Sequence, residues 1–335
     1  MSFFNKIDYY GHALWNMHIR RSAKLPYLPE YVALEVTNAC NFKCAFCPQS
    51  DPDHHNKVPK TYLDEEDCNL YLQKIRAAGI KTNLMHWTLD GEPFMHKGFA
   101  KLVWISSNYG FTNTYFASNG YLCTIERLLE FPRDRVCLNI AIDFCADKDY
   151  FEEVRGTKGS WDRVQANIKE ILSDTRIGNV RVDITDISSF QCNDAGKLNV
   201  AFQALKRLFG EHARLGYRTR TFHNATGYLE LAKKSTGNYH LCPYPWTHFR
   251  VASNGDVVPC CRDLQHMTVL GNLKTQSVEE IWNGEPMLEL REFLLRKKPQ
   301  KVSACEKCDL PYDDSKFTLK NIFHAARGRL QLFSK

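Results

Sequence analysis

Cysteines are the residues of this chain best suited to chemistry, thirteen of them in 335 residues, and seven fall into two spaced sets. Cys40, Cys44 and Cys47 form C-x3-C-x2-C within TNACNFKCAFCP. Three thiolates on one short loop can hold three irons of a cubane cluster, and the missing fourth ligand leaves one iron open. A closed zinc site is the alternative, with His54 or His55 as fourth ligand. Cys242, Cys260, Cys305 and Cys308 are spaced C-x17-C-x44-C-x2-C, with Cys261 an alternative ligand beside Cys260. Four ligands would close a cluster completely and suit electron transfer, and a zinc knuckle fits the same spacing equally well. The other cysteines are read mainly as small apolar fillers.

These sets need elements to position them. Runs rich in branched and aromatic residues at 31–36, 82–89, 111–117, 135–142 and 180–187 are predicted strands, with a weaker sixth at 214–222. Helical patterns at 64–78, 97–109, 125–130, 161–172 and 195–209 alternate with them, Ser160 being expected to cap the fourth. Strand and helix in alternation imply parallel, right-handed βαβ units, so the predicted fold is a partial (β/α)6 TIM-like barrel. In such folds the site lies at the C-terminal ends of the strands. There the cysteine loop follows the first strand, Asp90-Gly91-Glu92-Pro93 the second, Ser118-Asn119-Gly120 the third and Asp143 the fourth. Singly each is an ordinary turn; their shared placement suggests a binding site.

Composition changes near Tyr239, where HLCPYPW precedes a predicted hairpin at 247–258 and a helix-like stretch at 277–298. The expected organisation is a leader at 1–30 packing on the barrel, a core at 31–238, a cysteine-rich domain at 239–312 and a basic amphipathic tail at 313–335. Phe3, Ile7, Tyr10, Leu14 and Trp15 recur at helical spacing in the leader. Docking of both ends on the barrel is the favoured account, and contact with a membrane surface the sharper one. Hydrophobic residues at 44% and charged residues at 24% fit a globular protein, and a net charge of +6 does not define a nucleic-acid binder. No apolar run approaches the roughly 18 residues of a membrane span, and no secretory signal opens the chain. A cytoplasmic location is expected, where so many cysteines argue for metal or redox chemistry rather than disulfides.

The cysteine loop after strand one, the GEP element after strand two, SNG at 118–120, AID at 141–143 and Arg155-Gly156 together resemble the radical S-adenosylmethionine (radical SAM) superfamily. The cysteine-rich region, with GNL at 271–273, SVEEIWNG at 277–284 and the final C-x2-C, resembles a SPASM/twitch domain, the shorter twitch form with one auxiliary cluster being favoured. The resemblance implies a 4Fe–4S cluster on Cys40, Cys44 and Cys47 whose open iron chelates S-adenosylmethionine. Gly91, Glu92 and Pro93 would hold its methionyl amino group, Ser118, Asn119 and Asp143 would lie near its ribose or carboxylate, and Arg155 would partner the carboxylate. One departure is Asp90, where the family's GGEP has glycine. By the same resemblance Cys242, Cys260, Cys305 and Cys308 would hold an auxiliary iron-sulfur cluster of the 4Fe–4S type.

The implied activity is reductive cleavage of S-adenosylmethionine to a 5′-deoxyadenosyl radical and hydrogen abstraction from a substrate carbon. The favoured outcome is two-electron oxidation of a hydroxyl-bearing small molecule such as a sugar or cyclitol, with the auxiliary cluster taking an electron. A flavodoxin or ferredoxin-type donor is implied as partner, and no nucleic acid. Only 39 residues precede Cys40, which argues weakly against a fused peptide-recognition domain. Peptide modification is the alternative, and Cys145 and Cys192, each following a predicted strand, would be its candidate hydrogen donors. A zinc-binding or electron-transfer protein without catalysis is the reading from another class.

Overall fold

The computed structural model describes residues 3–190, 194–219, 224–229 and 237–313, the side chains of 3–8 and of 225 aside. Cys192, the tail beyond 313 and the end of the sixth predicted strand lie outside the described residues.

Strands β1 (Tyr31–Leu34), β2 (Leu84–His86), β3 (Asn113–Ser118), β4 (Cys137–Phe144), β5 (Val180–Asp186) and β6 (Leu215–Thr219) pair in sequence order, all parallel. Helices α1 (Phe3–Leu14), α2 (His54–Lys57), α3 (Glu65–Ala77), α4 (Phe99–Asn108), α5 (Ile125–Leu129), α6 (Lys148–Arg155), α7 (Ser160–Ser173) and α8 (Ala195–Phe209) precede or separate them. Local chemistry sets these boundaries. The Asp64 side chain accepts from Asp67 N at 2.7 Å to open α3, and Asp194 does the same for Lys197 N at 2.8 Å in α8. Ser160 departs from expectation: Gly159 takes the N-cap position, and the Ser160 hydroxyl donates back to the Thr157 carbonyl at 2.6 Å.

The sheet does not end at β1. After α9 (Tyr244–Thr247), strand β7 (His248–Val251) pairs with β1 in parallel, Tyr31 opposite His248 and Leu34 opposite Val251. Strands β8 (Asp256–Val258) and β9 (Gly271–Asn272) follow antiparallel. Among the described residues the order is β6-β5-β4-β3-β2-β1-β7-β8-β9, an open sheet and so a partial barrel. The stretch at 277–298 is two helices, α10 (Val278–Trp282) and α11 (Glu285–Leu295), because Asn283 and Gly284 end the first and Pro286 stands in the first turn of the second.

Val32, Leu34, Met85, Phe116, Ile140, Ile142, Val182 and Ile184 lie in one apolar core with Leu72, Val103, Val164 and Ile168 of the covering helices. Period-two alternation turns the neighbouring strand positions to the inner face, away from the helices. The leader docks through a different face from the one expected: Tyr9, Ala13 and Met17 are buried, whereas Leu14 and Trp15 are 44% and 54% exposed. Tyr9 fixes that face by donating to the Thr247 carbonyl and packing edge-on against Tyr27. No helix of the described residues is long and apolar enough to cross a membrane.

Candidate active site

The loop after β1 carries the first three cysteines and is tied down on both sides. Thr37 donates to the Thr61 carbonyl at 2.7 Å, Asn38 to the Pro59 carbonyl at 2.8 Å, and Ala45 N to the Val154 carbonyl at 2.9 Å. Gly156, the left-handed C-cap of α6, lets that helix end against the loop, since a Cβ there would stand 2.4 Å from the Lys43 carbonyl oxygen. Cys44 is buried, with Cys40 and Cys47 half-buried beside it. Burial pushes the Cys40 thiol up to about 12 and the Cys47 thiol well above its ordinary value. Thiolates here therefore need a bound cation to compensate the lost hydration, which fits an all-sulfur donor set built for iron.

His54 and His55 are committed elsewhere. His54 Nε2 meets Asp90 Oδ2 at 2.9 Å, and His55 faces the Val58 carbonyl and Gln49. Asp90 also accepts from Gln49 Nε2 at 2.8 Å, so the residue that departs from the family pattern locks the cysteine loop to the β2 loop. Glu35, just past β1, completes this buried group: its carboxylate accepts from Asp90 N, Ser253 N and the Ser253 hydroxyl. Burial, followed by the charge of Asp90, lifts Glu35 to about 7. Sequence reasoning missed this network, whose members share no spacing rule; the Asp90 departure was its one visible trace. Among the described residues no three His, Cys, Asp or Glu side chains gather tightly enough for a single metal ion. Ligands of a multi-iron cluster bind different irons and stand farther apart.

The β2 and β3 loops meet as expected. Glu92 is buried, with Oε1 accepting from Phe94 N and from the Ser118 hydroxyl at 2.9 Å, and Oε2 from Asn119 N at 2.6 Å. Burial raises its pKa while these donors work in the opposite direction. Ser118 is thus occupied in orienting Glu92. Gly91 has φ +70°, and a Cβ on it would lie 2.3 Å from the Thr37 carbonyl oxygen and 2.8 Å from that of Ala39. Glu92 N donates to that Ala39 carbonyl at 2.8 Å, so the β2 loop presses directly on the cysteine loop. Asn119 Nδ2 reaches Asn41 Oδ1 at 2.8 Å.

Asp143 accepts from Arg155 at 3.4 Å, and the Arg155 guanidinium lies 5.3 Å and 5.6 Å from the Phe42 and Phe46 ring centres. Burial acts to lower the Arg155 pKa, but Cys44, Asp143, Cys40 and Glu92 outweigh it and the net direction is upward. Its Nε has no hydrogen-bond partner among the described residues. Cys145 is buried in the apolar core, its Sγ donating to the Asp147 carbonyl at 3.4 Å.

In the second set, Cys260 and Cys308 are buried, Cys242 and Cys305 half-buried. Burial raises Cys305, with Cys242, Cys308 and Asp263 adding to the effect, and it raises Cys260, with Cys261, Cys242, Cys308 and Cys305 adding. These four thiols therefore share one neighbourhood. Cys261 lies in the same neighbourhood, acting on Cys260 and Cys242, and bears on Tyr244 and Arg250 as well. Arg262 donates to Cys308 Sγ at 3.8 Å and to Asp309, and Asp263 anchors the loop by accepting from Met267 N and Thr268 N. An arginine beside sulfur compensates the negative charge that a thiolate-bound cluster carries.

The inner face between the two sets is polar. Tyr31 stacks on His86 with ring centres 3.8 Å apart and meets His248 at 4.0 Å; His86 meets Tyr115 at 5.2 Å. Asn139, opposite Tyr115 in register, and Asp183, paired with Arg218, continue the surface. Ala33, Ala117, Ala141 and Gly216 alternate with these groups; Ala117 is exposed, Ala33 and Ala141 are buried, and the Asp183 carboxylate fills the place beside Gly216.

A family model described as the radical SAM superfamily matches residues 34–176, and one described as the SPASM iron-sulfur cluster-binding domain matches 242–309. The sporulation killing factor maturation protein SkfB of Bacillus subtilis (strain 168) is 26% identical over 291 residues, 79% of this chain and 67% of that protein. Among solved structures, BtrN in complex with AdoMet and 2-DOIA has a TM-score of 0.58 at 18% identity, covering 84% of this chain and 94% of that one. Streptococcus suis SuiB bound to precursor peptide SuiA has a TM-score of 0.54 at 17% identity, covering 92% and 75%. At such identities the structural likeness speaks to fold alone. With the cysteine loop, the glutamate it presses on and the second cysteine set all inside the matched segments, the chain belongs to the radical SAM superfamily with a C-terminal SPASM domain, and its cofactors are 4Fe–4S iron-sulfur chemistry and S-adenosylmethionine.

Proposed function

We propose that the protein is a radical SAM oxidoreductase that dehydrogenates a hydroxyl-bearing small molecule, a sugar or cyclitol, held against the inner face of the sheet. The observation carrying this reading is the polarity of that face. Tyr31, His86, Tyr115, Asn139 and Asp183 offer donors and acceptors around a layer of small residues, where an apolar groove would offer none. When bound, the cluster and S-adenosylmethionine supply the radical that takes hydrogen from a carbinol carbon, and the C-terminal cluster takes up the electron left behind.

The chain's own residues bind and orient. Cys40, Cys44 and Cys47 would hold the first cluster and Cys242, Cys260, Cys305 and Cys308 the second. Glu92, fixed by three donors, would accept from the methionyl amino group, with Gly91 and Pro93 shaping that loop. Arg155 would meet the carboxylate, while Asn119 and Asp143 border the ribose. The hydroxyl proton lost in the oxidation needs an acceptor, a role that falls to Asp183 on the same face.

A second reading, modification of a peptide, draws support from the likeness to SkfB, a maturation protein, and to SuiB, bound to a precursor peptide. The test is anaerobic reconstitution of wild type and a Cys40/Cys44/Cys47 triple Ala variant, with iron, sulfide and 5′-deoxyadenosine measured. About eight irons per chain in wild type, about four in the variant and loss of cleavage there is the expected result. Zinc without iron and no cleavage would overturn the enzyme reading. Substrate-dependent cleavage is then compared between sugars or cyclitols and peptides; a sugar product lighter by two hydrogens supports dehydrogenation, and turnover of peptides alone replaces it with the second reading.

A further inference from the structure

Four arginines are buried in the described residues; three donate to protein acceptors, though Arg155 Nε and Arg291 Nη2 have no partner there. Arg291 donates to the carbonyls of Pro245, Ala23 and Trp282, Arg262 to Asp309 and Cys308, and Arg155 to Asp143. Arg250 is different. It is 3% exposed, and its Nε and Nη1 have no hydrogen-bond partner among the described residues. Tyr31, which also shares a hydrogen bond with it, Cys261 and Tyr244 act on its charge, and none of them is a carboxylate. A buried cation is ordinarily paired, and its unused donors mark an interaction the protein alone does not complete.

Position says where that interaction lies. Arg250 sits on β7 opposite Ala33 of β1, the strand that runs into the first cysteine loop. Its guanidinium lies 4.7 Å from the Tyr31 ring centre, and His248, on the same strand face, packs against Tyr31 and Tyr244. Cys261, next to Cys260, also acts on its charge. The unused Nε and Nη1 lie on different edges of the planar guanidinium, Nε–H sharing its edge with Nη2, so each offers a separate donor to an anionic group.

We infer that Arg250, with Tyr31, His86 and His248 around it, forms an oxyanion subsite at the substrate position between the two cysteine sets, and that the hydroxyl-bearing substrate carries a phosphate or carboxylate group. This deepens the small-molecule reading above and rests on it. The rival role for Arg250 is countercharge to the C-terminal cluster.

The experiment titrates inorganic phosphate, and separately acetate, into the anaerobically reconstituted full chain by calorimetry, for wild type, Arg250→Gln and Arg250→Lys. Wild type is expected to bind one anion per chain at least about tenfold tighter than R250Q, R250K falling between, with phosphate and acetate together telling which oxyanion the subsite prefers. Iron and sulfide per chain should be equal in all three, and the ligand-free R250Q should melt no lower than wild type, because an unpaired buried cation has been removed. Equal anion binding in R250Q, loss of about four irons in R250Q, or a lowered melting midpoint with unchanged binding would each overturn the inference. Formation of 5′-deoxyadenosine by wild type is measured in the same preparation. Its absence sinks the radical reading, whereas anion binding indifferent to Arg250 sinks only the subsite.

Discussion

Substituting Gly91 by alanine tests whether the β2 loop sets the position of the cysteine loop. Two costs add. Positive φ costs an L-residue about 1–2 kcal/mol, and Gly91 has φ +70°. The added Cβ would also meet the Thr37 carbonyl oxygen at 2.3 Å and the Ala39 oxygen at 2.8 Å, both backbone atoms that cannot swing aside. Overpacking of that kind costs about 1–3 kcal/mol more. Gly79 is the internal control, because it shares the positive φ, at +86°, but an added Cβ meets nothing within 4 Å. With each kcal/mol worth about 2–4 °C in a domain of this size, G79A should lower the melting midpoint by about 4 °C and G91A by about 10 °C.

The functional effect is sharper, because relief of the clash separates Glu92 N from the Ala39 carbonyl it bonds at 2.8 Å. A displacement approaching 1 Å between the cysteine loop and Glu92 is enough to slow cleavage of S-adenosylmethionine by about 100-fold. G79A should cleave at the wild-type rate. The assays are thermal unfolding of the reconstituted protein and single-turnover formation of 5′-deoxyadenosine. A G91A protein that melts with G79A and cleaves within about threefold of it would refute the claim that this contact positions the site.

Glu35, held near 7 by burial and the Asp90 charge, contributes stability below about 4.5 that is lost as pH rises through about 7, up to about 3 kcal/mol. Melting midpoints should therefore decline from pH 5 to pH 8 in wild type and decline less in Glu35→Gln. Arg291, whose pKa burial lowers to about 9, satisfies three buried carbonyls. Arg291→Met should cost about 3 kcal/mol or more in denaturant unfolding, with partial recovery in Arg291→Lys. Cys260→Ala should remove about four irons per chain and Cys261→Ala none; the reverse would assign the ligand role to Cys261, which shares the neighbourhood of Cys242 and Cys260. Cys145→Ala should keep full turnover on any substrate found, and a selective loss of product without loss of 5′-deoxyadenosine would return Cys145 to the site.

What could be read from the residues was whatever a local pattern carries. Alternation in VRVDITD marks β5 because every second side chain must enter the core, and Asp194 marks the start of α8 because its carboxylate caps an open N–H. The Glu92–Asn119 contact follows from two loops at the same end of adjacent parallel strands. Ser160 was misread because a left-handed Gly159 turns the chain one residue earlier, and the hydroxyl finds a nearer carbonyl. The Glu35, Gln49, His54 and Asp90 group was hidden for another reason. Its residues come from two connections, the long one after β1 and the one after β2, and burial rather than spacing makes them partners.

The pairing of β7 with β1 is the least local feature and the one with most bearing on function. Residues 31–34 and 248–251 carry no mutual signal, since a parallel ladder is satisfied by any two compatible strands. Yet this ladder makes the C-terminal region continuous with the barrel sheet. One strand leads directly into Cys40, Cys44 and Cys47, and the hairpin of the other leads directly into Cys260. Four register pairs thus tie the strand that leads to the first cysteine set to the hairpin that leads to Cys260. The same ladder turns Tyr31, His248 and Arg250 onto one face, so that under the proposed reading a substrate beside the first set would meet side chains from the C-terminal strand. A flexible tether between the two regions could not hold such a face together, which is why the shared strand, rather than either cysteine set alone, makes the chain one site.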